Sequence, residues 1–112
     1  MNATELREMW VDVCESRDLR PNLGVRALIN DEQVAIYRVQ GRLYAISAID
    51  PFSNAAVLSR GIVGDLKGQV VVTSPIYKQH FNLATGVCLE DDSVQLKTYL
   101  VREVAGRIQV AP

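Results

Sequence analysis

The 112-residue chain reads as an all-β protein, a β-sandwich or barrel with almost no helix. Three observations predict this. Its apolar runs are short, its Gly and Pro residues fall singly between those runs, and tight-turn signals recur at short spacing. No repeat, linker or low-complexity segment interrupts them, so residues 1–112 are expected to form a single domain. A domain of this size buries about two thirds of the surface of its unfolded chain and does not depend on disulfides.

Trp10 to Cys14 alternates apolar and polar residues and suits a first strand. Glu15 to Leu23 is a connection containing Pro21, and the strand pattern resumes over Gly24 to Ile29. Asn30-Asp31 is a tight hairpin turn, since both residue types tolerate positive φ, and it leads into Gln33 to Val39. Gln40-Gly41 turns the chain again into Arg42 to Ser47, giving three consecutive strands of an antiparallel meander. Ile49 to Gly68 breaks the pattern with Pro51, Asn54, Gly61, Gly64 and Gly68. It is expected to be loop, with a short helical turn around Ala55 to Ser59. Gln69 to Thr73 is a β-branched run without alternation, as in a strand buried on both faces, and Pro75 stops it. His80 to Leu83 and Val87 to Leu89 flank Ala84-Thr85-Gly86, where Gly86 supplies a left-handed position. Val94 to Val104 and Arg107 to Val110 pair across Ala105-Gly106. These segments make about nine strands. Ala3 to Met9 contains helix formers after a cap candidate at Asn2 or Thr4.

Charge excludes several classes of function. Lys and Arg number 12 against 13 Asp and Glu, a net charge of -1, so no counterion release draws the chain to nucleic acid. Aromatic residues are 6% of the chain, too few for a base-stacking platform. Met1 to Trp10 lacks the apolar core of a secretory signal, and no apolar run approaches the roughly 20 residues needed to span a bilayer. The expectation is a soluble, cytoplasmic protein without nucleic-acid or membrane partners. Cys14 and Cys88 read as small buried hydrophobes or reduced thiols rather than reactive groups.

Two stretches carry the functional signal. Asp50-Pro51-Phe52 is followed after a spacer by Leu58-Ser59-Arg60-Gly61, and Ser74-Pro75-Ile76-Tyr77 is followed by Phe81-Asn82-Leu83-Ala84-Thr85-Gly86. They resemble the two cluster-holding loops of a Rieske ferredoxin, Cys-Pro-His and Cys-Pro-x-His. Each iron-ligand position is degenerate: Asp50, Phe52, Ser74 and Tyr77 stand there. The inventory agrees, because a Rieske centre takes two thiolates and two imidazoles and the chain holds only Cys14, Cys88 and the single His80. An all-thiolate cluster or closed zinc site lacks ligands as well. An oxygen-ligated site using Asp50 or Glu90-Asp91-Asp92 is conceivable, though three adjacent acids read first as a solvated turn.

The resemblance implies a Rieske-like β-sandwich or barrel with an inserted loop-bearing subdomain, here approximately residues 48–90. More narrowly, Ile49 to Phe52, Val57 to Gly61, Ser74-Pro75 with Lys78-Gln79, and Leu83 to Glu90 are similar to the small subunits of cytoplasmic NADH-dependent nitrite reductases. The likeness runs from Trp10 to Val110. It implies a subunit of an enzyme that reduces nitrite to ammonium in nitrate and nitrite assimilation. It also implies that FAD, iron-sulfur and sirohaem groups reside on the large subunit and none on this chain, which by itself would be catalytically silent.

Several residues are candidates for contacting that large subunit. Phe52, Ile76 and Tyr77 are suited either to plug the space of the missing cluster or to anchor a partner, since desolvated aromatic residues carry much interface energy. Arg60 and Lys78 flank the loops and either steer an acidic partner or merely solvate the surface. Asp50 is expected to cap backbone amides in an Asx turn, and Ser74 to hydrogen-bond its own loop. His80 reads as a structural histidine. No nucleophile elbow, phosphate-cradling loop or dinucleotide fingerprint offers a catalytic story. Two other readings stay open: a free-standing Rieske-like interaction module and an electron-transfer ferredoxin.

Overall fold

Val34, Ala35, Ile36 and Tyr37 are all fully buried, so the strand carrying them, β3 (Glu32–Val39), has core on both faces. In the computed structural model, which describes residues 9–112, β3 is the centre of a sheet ordered β2-β3-β4, with β2 at Val25–Ile29 and β4 at Arg42–Ser47. The expected helix over Ala3 to Met9 lies, apart from Met9, outside the described residues. The meander is as predicted, and both turns use positive φ, at Asn30 (49°) and Asp31 (67°) and at Gln40 (51°) and Gly41 (78°). Such turns match the right-handed twist of the strands they join.

A second sheet, ordered β1-β9-β8, pairs Val11–Glu15 with Arg107–Ala111 and the latter with Leu100–Val104. Val34 and Ile36 project from β3 into the core it shares with this sheet, against Ile29, Ala45, Tyr99, Ile108 and Val110. Ala35, Tyr37 and Val39 project the other way, against Leu58, Val72, Phe81, Leu83 and Cys88. That second core joins the meander to a third sheet, β5-β6-β7 (Ile62–Leu66, Gln69–Thr73, His80–Asn82).

The described residues hold nine strands, but not the predicted nine. Ile49 to Gly68 is not loop throughout, because Ile62–Leu66 forms β5 and hairpins onto β6 through Lys67 (φ 54°) and Gly68 (φ 78°). Its helical turn is a 3-10 turn at Leu58–Arg60, later than Ala55 to Ser59. Val87 to Leu89 makes only isolated bridges, Val87 to Gln95 and Cys88 to Phe81. The expected strand from Val94 to Val104 is divided among three partners. Leu96 and Val94 bond the 86–88 segment, Lys97 and Tyr99 bond β4, and only Leu100–Val104 joins β9. Changing partner twice within six residues prevents one continuous ladder.

Gly86 has the predicted left-handed conformation, φ +80°, and a Cβ there would lie 2.2 Å from the Leu96 carbonyl oxygen. This close approach lets the 86–88 and 94–96 segments meet. Cys14 and Cys88 are both free thiols and belong to different cores.

Candidate functional site

The third sheet and β4 present two loops, Asp50 to Gly61 and Ser74 to Gln79. Their first residues build the same turn. Asp50 donates its N–H to the Ala55 carbonyl (2.9 Å), and Ser74 donates to the carbonyl five residues on, Gln79 (2.9 Å). The carbonyl of each accepts the amide four residues on, from Asn54 (2.7 Å) and Lys78 (3.2 Å). Asn54 and Lys78 both take positive φ, 58° and 66°. The side chains complete the pattern: Asp50 Oδ1 accepts the Phe52 amide at 2.8 Å and Ser74 Oγ the Ile76 amide at 3.4 Å. These are the Asx and Ser turns expected from the residue types.

Between the loops, Ser74 Oγ–H donates to Asp50 Oδ2 at 2.5 Å. Among the described residues, Asp50 and Ser74 are the only polar or charged ones wholly buried. A buried carboxylate is costly unless its oxygens are satisfied, and here each oxygen has a donor. The structure thus ties together the two loop-leading residues, 24 positions apart in the chain.

The outer loop residues behave differently from the predicted plug. Phe52 is 38% exposed, Ile76 42% and Tyr77 57%, so Ile76 and Tyr77 project outward and do not fill the gap. Phe52 is exposed as well, although its ring lies 6.3 Å from the ring of buried Phe81, tilted by 40°. Arg60 and Lys78 are exposed. Lys78 Nζ donates to the Pro75 carbonyl at 2.9 Å, and neither cation meets a carboxylate among the described residues. Ile62, at the edge of β5 where it pairs with Thr73, is 74% exposed and was not singled out from sequence.

Glu90 also does more than the solvated turn expected of it. Its Oε1 accepts the His80 backbone amide at 2.7 Å, and its Oε2 lies 2.8 Å from His80 Nδ1. Desolvation would raise the Glu90 carboxyl, but the His80 amide and ring outweigh it and hold the group below the usual carboxylate range. Asp91 keeps the predicted turn role, accepting the Ser93 amide and hydroxyl. Cys88 Sγ lies 3.8 Å from Glu90 Oε1. Burial pushes the thiols of Cys88 and Cys14 up, away from the thiolate that nucleophilic chemistry needs. No group of three or more His, Cys, Asp or Glu among the described residues is arranged to hold a metal ion.

A β scaffold of two sheets, with a third small sheet presenting two short paired loops, is the layout of a Rieske-type domain. The family model for the Rieske-like 2Fe-2S domain matches residues 9–111. The chain is 44% identical over 103 residues to the nitrite reductase (NADH) small subunit of Escherichia coli (strain K12), covering 90% of this chain and 95% of that protein. It superposes with a TM-score of 0.88 on the crystal structure of an NADH-dependent nitrite reductase small subunit from Mycobacterium tuberculosis, at 47% identity, covering 92% of this chain and 94% of the other. It is also 31% identical over 101 residues to the nitrite reductase NAD(P)H large subunit of Klebsiella oxytoca, covering 90% of this chain and 11% of that one. The chain belongs to the Rieske-like family and, within it, to the small subunits of NADH-dependent nitrite reductase.

The donor set does not fit the cluster for which the wider family is described. Asp50, Phe52, Ser74 and Tyr77 supply neither thiolate nor imidazole, the leading pair is engaged with itself, and Cys88 is packed into the core behind Phe81.

Proposed function

We propose that this chain is a cofactor-free accessory subunit of a cytoplasmic NADH-dependent nitrite reductase, binding the large catalytic subunit that reduces nitrite to ammonium. Residues 1–112 act as one domain, and approximately residues 48–90, the former cluster-binding portion, form its docking end. Phe52, Ile76 and Tyr77 are the apolar anchors; Arg60 and Lys78 steer an acidic rim. FAD, iron-sulfur and sirohaem groups belong to the large subunit, and this chain supports or regulates that subunit without a redox step of its own. The observation that carries the reading is the buried Asp50–Ser74 pair at the positions where a cluster would need thiolates. The likeness to part of a large subunit in Klebsiella oxytoca supports direct contact, since there the module shares a polypeptide with the partner proposed here.

The test is co-purification of the full chain with its large subunit, with visible spectra of each component. The expected result is a stable complex in which this chain, prepared alone, is colourless. Stoichiometric iron and sulfide in the anaerobically purified chain would favour the ferredoxin reading. Failure to associate with the large subunit would favour the free-standing module.

A further inference from the structure

We propose that the Asp50–Ser74 hydrogen bond is a latch that locks the two loop tips into one pre-formed docking surface, taking over the cross-link that shared metal ligation would otherwise provide. This deepens the docking reading above and rests on it. Each loop closes on itself through its own turn, but those bonds do not fix one loop against the other. Among the described residues, the Ser74 Oγ to Asp50 Oδ2 contact at 2.5 Å is the only hydrogen bond between them.

The same two side chains also hold the tips. Phe52 N–H bonds Asp50 Oδ1, and Ile76 N–H bonds Ser74 Oγ, so one continuous network runs from the first apolar anchor, through the latch, to the second. Chains of this kind are sensitive to loss of any member, because a buried charged group left short of a donor is costly. Loops without the latch would have to be ordered on association, at the expense of affinity. The geometry therefore assigns Asp50 and Ser74 as positioning residues, set below a surface that they do not themselves reach.

The full-length chain carrying Ser74→Ala is titrated calorimetrically with the purified large subunit, alongside amide exchange of the free chain. The expected result is a loss of affinity of about tenfold or more, with faster exchange over residues 50–55 and 74–79 and unchanged protection of β3 and β6. If Ser74→Ala fails to fold, Ser74→Cys, close in volume and a weaker donor, tests the same direction of change. Faster exchange in the loops at wild-type affinity would make the latch purely structural and overturn the proposal. Phe52→Ala and Tyr77→Ala leave the latch intact and probe docking separately. If they weaken association while the Ser74 variants do not, the latch proposal fails alone. If neither alters affinity, the docking reading fails and the latch proposal goes with it.

Discussion

Tyr37 is fully buried, yet its hydroxyl donates to the Leu58 carbonyl across the second core. Burial pushes the hydroxyl far above its ordinary pKa, so it stays a neutral donor. Tyr37→Phe keeps the ring and leaves the Leu58 carbonyl with the Gly61 amide as its remaining donor, which should lower stability by about 1 kcal/mol, measured as a lower urea midpoint at unchanged slope. Glu90 gives a pH-dependent counterpart. Its folded pKa lies below the ordinary 4.5 because of His80, so its contribution is complete above that value and drains away as pH falls through the lower folded one. Glu90→Gln should therefore flatten the acid side of the stability profile, most visibly below about pH 4.5. A profile unchanged by the substitution would show that the pair is too solvated to matter.

Hairpins are the elements that the chain spells out most directly. Asn30-Asp31, Gln40-Gly41 and Ala105-Gly106 each join the strands expected of them, all with positive φ. Lys67-Gly68 is the same kind of turn, and it was the available signal for β5; the density of glycines before it hid a strand whose exposed edge tolerates Gly64. Contacts between non-consecutive segments were harder to foresee. At Gly86, an alanine would combine strained φ with a Cβ 2.2 Å from a backbone oxygen, which no flexible side chain can relieve. Gly86→Ala should cost about 3 kcal/mol or more, detected as a lowered melting temperature. A near-neutral effect would mean that the 86–88 and 94–96 segments separate easily.

Because β3 is buried on both faces, the two cores share a wall, and neither can be exposed without stripping Val34 to Tyr37 on one side. The third sheet is therefore expected to unfold together with the meander despite its separate hydrogen-bond ladder. Trp10 stacks under Arg102 of β8, 4.0 Å from ring centroid to guanidinium carbon, and reports on the far sheet. Far-UV circular dichroism and Trp10 fluorescence should give coincident urea transitions. An early circular dichroism phase at unchanged fluorescence would show the loop-bearing sheet melting alone and would weaken the case for a rigid docking end.

The residue order was sufficient for the all-β class, the meander, the positive-φ turns and the Asx turn at Asp50, because these depend on residue type and on neighbours a few positions away. The alignment of Asp50 with Ser74, the capture of His80 by Glu90 and the three-way division of Val94 to Val104 came from the folded chain. The first two contacts span 24 and 10 positions, and the third sets short-range partners at 86–88 and β9 against β4, which Lys97 and Tyr99 meet at Ser47 and Ala45. No local propensity encodes which group will satisfy a buried oxygen or a free edge. The outward projection of Ile76 and Tyr77 was settled in the same way. Once a carboxylate and a hydroxyl close the space between the loops, the larger apolar side chains have no interior left to fill, and they remain at the surface.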